Sequence, residues 1–89
     1  VNVRRAALRV LGEEFVEWYQ SSAKVQRGFC RRCGSTLFWH PTIEGYEWTA
    51  VALGCLDTRV DLKIAKHTFV SDKGSYYDIN DGAPQSIEY

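Results

Sequence analysis

The 89-residue sequence predicts a single all-β domain. Short segments rich in β-branched and aromatic residues alternate with turns of glycine and small polar residues, a pattern typical of antiparallel sheets. A Cys-x-x-Cys-Gly turn, Cys30 to Gly34, stands between two such segments, which indicates that the strands are organised around it. The composition, 45% hydrophobic and 25% charged, is that of a folded domain rather than a disordered chain.

The first half of the chain predicts a hairpin that leads into the cysteine turn. Val1 to Val3 has the β-branched content of a strand end. Arg4 to Leu11 is the only segment with helical character, and Gly12 ends it. Phe15 to Gln20 predicts a strand, after which a small polar turn leads into the returning strand, Val25 to Phe29.

The second half predicts three further strands. Ser35 to Trp39 follows the cysteine turn, and Tyr46 to Leu53 is the longest candidate. Apolar residues fall on both faces of that longest segment, which is typical of a central strand. Lys66 to Val70 is the last strand, and from Ser71 onward the polar sequence predicts a surface tail.

Charge and hydropathy exclude several classes of protein. The 11 basic and 11 acidic residues give a formal net charge of zero, which argues against binding an extended polyanion. No apolar run approaches the roughly 20 residues that a membrane-spanning helix requires, and no signal-peptide pattern is present. Three cysteines, two of them at metal-binding spacing, do not fit a secreted disulfide framework, so we expect a reducing, cytoplasmic compartment.

Cys30 and Cys33 are the candidate metal ligands. Two thiolates at this spacing bind one ion from a single tight turn, and Gly34 suits the positive φ that often follows the second cysteine. We therefore predict a zinc knuckle, which supplies two of the four ligands of a closed structural site. A thioredoxin-type redox pair is the alternative, but it needs the motif at the start of a helix, whereas strand-forming residues follow it here.

The sequence does not identify the other two ligands. Cys55 follows an apolar strand and is expected to be a buried small hydrophobic residue. His40 and His67 are each able to ligate zinc, but no paired histidine spacing supports either of them. The position of His67 within a predicted strand favours a hydrogen-bonding role, and no catalytic residue is assigned.

Three arginines surround the knuckle: Arg27, Arg31 and Arg32. Cations at this place offset the negative charge of zinc-bound thiolates. They also match the carboxylates of an anionic ligand such as a peptide-like thiol, because guanidinium groups form paired hydrogen bonds with carboxylates. Contact with nucleic-acid phosphates is a third interpretation, which the zero net charge disfavours.

Three segments resemble the glutathione-dependent formaldehyde-activating enzyme family, to which centromere protein V also belongs. They are RGFCRRCGSTLFW at Arg27 to Trp39, VALGCLD at Val51 to Asp57, and HTFVSDKGSYYDINDGAPQ at His67 to Gln85. The resemblance covers the C-terminal two thirds of the family's domain. It implies several small coiled antiparallel sheets around a zinc knuckle, a fold similar to that of methionine-R-sulfoxide reductase, with Cys30 and Cys33 as structural zinc ligands.

The family pattern also has an upstream half, which carries a C-x-C pair that completes the structural zinc site. A further C-x-x-C cluster there holds a second zinc that binds the substrate thiol. Residues 1–89 carry neither cluster, and the sequence opens with Val1 rather than Met. We therefore expect a single zinc-binding β domain that lacks its N-terminal zinc-ligand segment.

The resemblance implies a zinc-dependent carbon–sulfur lyase-like enzyme that resembles S-(hydroxymethyl)glutathione synthase and acts on a small thiol adduct. Glutathione or a similar small thiol is then the expected partner. The alternative is a non-catalytic zinc-binding module that binds a protein or a nucleic acid through the face of Arg27, Arg31 and Arg32. No membrane partner is expected, and the charge balance argues against nucleic acid.

Overall fold

One antiparallel sheet of five strands forms the centre of the structure. The computed structural model describes all 89 residues, Val1–Tyr89. In chain order the strands are β1 (Asn2–Arg4), β2 (Val16–Ser22), β3 (Val25–Cys30), β4 (Thr36–Pro41) and β5 (Trp48–Val51). Their order in space is β1-β5-β4-β3-β2, so β1 and β2 are the two edges of the sheet.

The structure contains no α-helix, which confirms the all-β prediction. Its helical segments are short 3₁₀ turns: Arg5–Ala7, Glu13–Phe15, Leu53–Cys55 and Val70–Asp72. The helical segment expected between Arg4 and Leu11 is thus limited to the 3₁₀ turn at Arg5–Ala7. None of the turns has the length and apolar content needed to cross a membrane. The strands form one sheet, whereas the family resemblance implied several small ones.

The hairpin predicted before the cysteine turn is confirmed. β2 and β3 pair antiparallel, from Val16 opposite Cys30 to Ser22 opposite Val25. The prediction of a central strand is also confirmed, because β5 pairs with β1 on one side and with β4 on the other. Its apolar residues on both faces fit this interior position.

Two predicted strands differ from the structure. The strand expected over Tyr46 to Leu53 is limited to Trp48–Val51, because the chain enters a 3₁₀ turn directly afterwards. The strand expected over Lys66 to Val70 is absent, and His67 makes only an isolated bridge. Phe69 has a φ of 54°, and this left-handed conformation interrupts the extended backbone that a strand needs.

The chain between β1 and β2 crosses one face of the sheet, because these two strands lie at opposite edges. We call residues 5–15 the crossing segment. The backbone N–H of Arg5 fixes its start by donating to the Glu47 carbonyl, with an N···O distance of 2.8 Å. Its end is fixed by the backbone N–H of Arg31, which donates to the Phe15 carbonyl at 2.8 Å.

The buried core is small and lies on the interior strands. Four residues are buried: Gly28, Pro41, Thr49 and Val51. Thr49 is the most enclosed polar residue, with 2% of its surface exposed, whereas Trp18 keeps 45% of its surface in water. Few buried residues and partly exposed aromatic side chains are expected of a short chain, because it buries a smaller fraction of its surface than a longer one.

The chain divides into two compact units, residues 1–58 and residues 59–89. The first unit contains the whole sheet and all three tryptophans. Hydrogen bonds of His67 hold the second unit together: its backbone N–H donates to the Pro84 carbonyl at 2.8 Å, and its Nε2 lies 2.8 Å from Asp81 Oδ2. The hydrogen-bonding role expected of His67 is thus confirmed, outside any strand.

Gly28 leaves room for two aromatic rings. Trp18 and Phe38 lie on the strands that flank it, and their ring centroids are 5.8 Å apart. A Cβ atom at position 28 would lie 2.9 Å from Trp18 and 3.0 Å from Phe38. We predict that Gly28→Ala lowers the free energy of unfolding by about 1–3 kcal/mol, the usual cost of overpacking, in urea titrations followed by tryptophan fluorescence.

Gly54→Ala is the matched control for this substitution. Nothing lies within 4 Å of a Cβ atom at position 54, and the backbone there is not left-handed. We expect it to change the free energy of unfolding by less than about 0.5 kcal/mol. Equal losses from the two substitutions would show that ring crowding is not what requires glycine at position 28.

Candidate functional site

Cys30 and Cys33 lie on one tight turn that begins at the end of β3. Two backbone hydrogen bonds close this turn: Gly34 N–H donates to the Cys30 carbonyl at 2.7 Å, and Cys30 N–H donates to the Ser35 carbonyl at 2.9 Å. Gly34 has a φ of 80°, as the sequence predicts. Glycine adopts that conformation without steric cost, so the turn can be tight.

The two thiols of this turn interact with each other and with Ser35. Cys30 is half-buried, Cys33 is exposed, and neither forms a disulfide. The Cys33 sulfur lies 3.1 Å from the Ser35 hydroxyl oxygen. That hydrogen bond, followed by the Ser35 backbone and the Cys30 thiol, lowers the pKa of Cys33 below its ordinary value. The thiolate is the form of cysteine that binds metals, so the turn suits metal ligation.

The structure brings together two of the four donors that a closed zinc site requires. Nowhere among residues 1–89 do three or more His, Cys, Asp or Glu side chains form a group that could hold a metal ion. Cys55 donates its thiol hydrogen to a backbone carbonyl, and both histidines bond to other side chains. Zinc ligation by Cys30 and Cys33 therefore stays a prediction. Their two thiols, which lie on one turn, fit two of the four ligand positions of a zinc site.

Arg31 and Arg32 contact residues around the end of the crossing segment. Arg31 Nη1 donates to the Glu14 carbonyl at 3.1 Å, and its Nε lies 3.9 Å from a Glu17 carboxylate oxygen. The Arg32 guanidinium lies over the Phe15 ring, 5.5 Å from its centroid. Both arginines therefore contact neighbouring residues next to the cysteine turn, although both are exposed. Arg27, on β3, is exposed.

A cleft lies between the sheet and the crossing segment, with a volume of about 190 Å³. We call it the crossing cleft. The sheet contributes four of its lining residues: Trp18, Phe38, His40 and Thr49. The crossing segment contributes the other four: Arg5, Leu8, Val10 and Glu13. This cleft was not predicted from the sequence. There, His40 was considered only as a zinc ligand, and the other seven lining residues had no predicted function.

Arg5, Thr49 and His40 form a chain of hydrogen bonds in the crossing cleft. Arg5 Nε donates to the Trp48 carbonyl at 3.1 Å and to Thr49 Oγ1 at 3.2 Å, and its Nη2 donates to the Pro41 carbonyl. His40 Nδ1 lies 2.8 Å from the same Thr49 oxygen. The only sequence signal for this chain is Thr49, a polar residue within an apolar strand, because buried polar groups are nearly always hydrogen-bonded.

The protonation of His40 is set by its surroundings. Burial lowers the pKa of His40, and the positive charge of Arg5 lowers it further. Both effects disfavour the imidazolium form. The imidazole is therefore neutral at pH 7, and each of its two nitrogens is either a hydrogen-bond donor or an acceptor.

A family model described as glutathione-dependent formaldehyde-activating enzyme matches residues 1–72. The matched range contains all five strands, the cysteine turn and the crossing segment. The tail from residue 73 onward, which contributed to the resemblance seen in the sequence, lies outside it. Searches of curated proteins and of solved structures found no match.

We predict that the first unit becomes less stable as the pH falls below about 6.5, the ordinary pKa of an unfolded histidine. The folded protein holds the pKa of His40 below that value, so the unfolded chain binds more protons in this range. Stability therefore decreases with falling pH until the folded pKa is passed. Urea unfolding at several pH values, followed by tryptophan fluorescence, measures the slope.

His40→Gln is the control for this pH dependence. Glutamine does not titrate, so the part of the slope that begins just below about pH 6.5 is expected to disappear in this variant. Carboxylates also contribute to the pH dependence of stability. The Ala83 backbone and His67 lower the pKa of Asp81, so its contribution to stability is lost only at lower pH, and this part of the slope is present in both proteins. The same slope in the variant and in the parent would contradict the assignment to His40.

Proposed function

The chain belongs to the glutathione-dependent formaldehyde-activating enzyme family, and from this premise we propose that it is a zinc-dependent enzyme of the carbon–sulfur lyase type. Its proposed substrate is a small thiol adduct, as for S-(hydroxymethyl)glutathione synthase. The observation that carries the proposal is the match over residues 1–72, which includes the turn of Cys30 and Cys33. The three free thiols support a reducing, cytoplasmic location as part of the same proposal.

Zinc is the metal that the cysteine turn would hold. Cys30 and Cys33 supply two soft thiolate donors from one turn, which zinc favours over oxygen ligands. The hydrogen bonds of Gly34 and of Cys30 that close the turn support the interpretation as a zinc knuckle. The family resemblance extends this proposal to a fold similar to that of methionine-R-sulfoxide reductase.

The proposed reaction forms or breaks one carbon–sulfur bond. The thiol sulfur adds to the carbonyl carbon of an aldehyde, and the thiol proton passes to the carbonyl oxygen, giving the hydroxyalkyl thioether. A bound zinc ion supplies stabilisation of a thiolate at neutral pH. Cys30 and Cys33 have the structural part in this scheme, which is to fix the cysteine turn at the end of β3.

The alternative is a non-catalytic zinc module that binds a protein or a nucleic acid through Arg27, Arg31 and Arg32. Arg31 and Arg32 favour a structural role instead, because they contact Glu17 and Phe15 next to the cysteine turn. Arg31 also donates one N–H to the Glu14 carbonyl, which leaves it fewer donors for a partner. We therefore favour the enzyme, and Arg27→Ala provides a variant that separates the two proposals.

We predict that the 89-residue protein holds zinc weakly or shares it between copies, because Cys30 and Cys33 account for only two of four thiolate positions. Metal analysis combined with the native mass gives the zinc-to-chain ratio and the oligomeric state. Cys30→Ser and Cys33→Ser are expected to abolish the binding, and Cys55→Ser is the control that retains it. One zinc held tightly by four ligands of a single chain would contradict this prediction.

The enzymatic proposal is tested with the protein in the presence of zinc, ¹³C-formaldehyde and glutathione. Exchange NMR measures the rate at which S-hydroxymethylglutathione forms and breaks down, and we expect the protein to exceed the spontaneous rate. Cys33→Ser is expected to lose the acceleration together with folding, since binding of a structural zinc is coupled to folding. Arg27→Ala is expected to retain it.

A folded, zinc-loaded protein that does not accelerate the reaction of any small thiol and aldehyde would overturn the enzymatic proposal. Binding of an acidic protein or a nucleic acid that is lost in Arg27→Ala would then favour the alternative.

A further inference from the structure

We propose that the crossing cleft binds a small neutral carbonyl compound with an apolar body about the size of a benzene ring, with His40 Nε2–H as the donor to its carbonyl oxygen. Trp18 and Phe38 would contact the apolar body. Arg5 and Thr49 are the positioning residues of this site. The proposal depends neither on zinc nor on the carbon–sulfur lyase activity.

The direction of the hydrogen-bond chain fixes which nitrogen of His40 carries its proton. Arg5 Nε is always a donor, so Thr49 Oγ1 accepts from it. Thr49 is 2% exposed, and the only hydrogen-bond partners of its hydroxyl are Arg5 Nε and His40 Nδ1. Arg5 offers no acceptor, so the hydroxyl hydrogen is donated to His40 Nδ1. A neutral imidazole that accepts at Nδ1 carries its hydrogen on Nε2.

His40 Nε2–H therefore offers a hydrogen-bond donor that the protein itself does not use. Nδ1 is the only atom of the His40 side chain that takes part in a hydrogen bond within the structure. His40 lines the cleft, with its ring at an edge contact to Trp18 and the ring centroids 5.5 Å apart. A ligand in the cleft thus meets one donor of fixed tautomer beside an aromatic surface.

The apolar lining and the volume of the cleft indicate the size of the ligand. Trp18 and Phe38 are stacked at an interplanar angle of 18°, and Trp18 leaves 45% of its surface exposed to solvent. Leu8 and Val10 face them from the crossing segment. The volume of about 190 Å³ is comparable to that of an engineered apolar cavity of about 150 Å³ that binds benzene.

The charges in the cleft favour a neutral ligand. Arg5 and Glu13 both line it, so a cation meets the guanidinium and an anion meets the carboxylate. The Arg5 Nε and Nη2 donors already bond to Trp48, Thr49 and Pro41, so this side of the guanidinium is not open to a carboxylate, and the Glu13 carboxylate repels an anion from the rest of the cleft. A carbonyl oxygen accepts from His40 without bringing a charge or a donor that needs a partner.

Acetophenone and ethylbenzene test the proposal, because they share a carbon skeleton and differ in the carbonyl group. Each is titrated into the ¹⁵N-labelled protein at pH 7.5, with and without a zinc chelator. We expect acetophenone to bind about fivefold more tightly, as for one additional neutral hydrogen bond. We also expect it to shift the His40 Nε2 and Trp18 indole signals, whether or not the chelator is present.

Two substitutions of His40 provide the variants. His40→Phe keeps an aromatic ring but removes the donor, so the preference for acetophenone is expected to disappear. His40→Gln keeps an N–H donor and is expected to retain part of the preference. Thr49→Val removes the hydroxyl that bonds Nδ1, and the ¹⁵N shifts of His40 are then expected to show a mixture of tautomers, which a purely structural role of Thr49 would not produce.

Equal affinity for the two compounds, or binding of acetophenone without a shift at His40 Nε2, would overturn the proposal. That comparison uses the unsubstituted protein, so it decides the question even if His40→Phe does not fold. A protein that fails to accelerate the formaldehyde reaction can still show this preference for acetophenone. The titration includes no glutathione, and the arm with the chelator does not depend on zinc.

Discussion

The hydrogen bonds of the Arg5 guanidinium are the interactions on which the first unit depends most directly. Its hydrogen bonds reach Trp48 and Thr49 on β5 and Pro41 at the end of β4, so that one side chain joins two neighbouring strands. The backbone N–H of the same residue fixes the start of the crossing segment to Glu47. Because the crossing segment passes over the sheet from there, Arg5 sets both the position of the cleft and the surroundings of His40. A lysine at this position has a single charged nitrogen and lacks the fork that reaches several acceptors.

The cysteine turn and the crossing cleft use different physical means to fix their side chains. At the cysteine turn the backbone does so, because Gly34 takes a left-handed conformation and two backbone hydrogen bonds close the loop. In the cleft a partly buried chain of side chains does so, because His40 Nδ1 is the only acceptor that the Thr49 hydroxyl hydrogen reaches. The two sites are therefore separable by mutation: each has its own set of supporting residues. The family match spans both of them, since residues 1–72 include the whole sheet.

Local patterns in the sequence predicted the parts of the fold that depend on neighbours in the chain. The β2–β3 hairpin, the positive φ of Gly34 and the interior position of β5 were all readable in this way. The pairing of β1 with β5 was not, because it joins residues that lie far apart in the sequence and carries no turn signal. The cleft was missed for the same reason: Arg5 looks like any surface arginine until the fold brings it to Thr49. The strand expected around His67 failed because β-branched and aromatic content does not reveal a left-handed residue such as Phe69.

Gly28 has a further consequence for the pairing of the sheet. The rings of Trp18 and Phe38 come from strands on either side of β3 and meet above the one residue of β3 that has no side chain. A slip of β3 by one position would bring Arg27 or Phe29 beneath the rings. It would also turn all the side chains of that strand to the opposite face of the sheet. Only one alignment of the three strands places glycine there. The absent side chain thus selects the register of β2, β3 and β4 together, and that register determines where β3 ends and the cysteine turn begins.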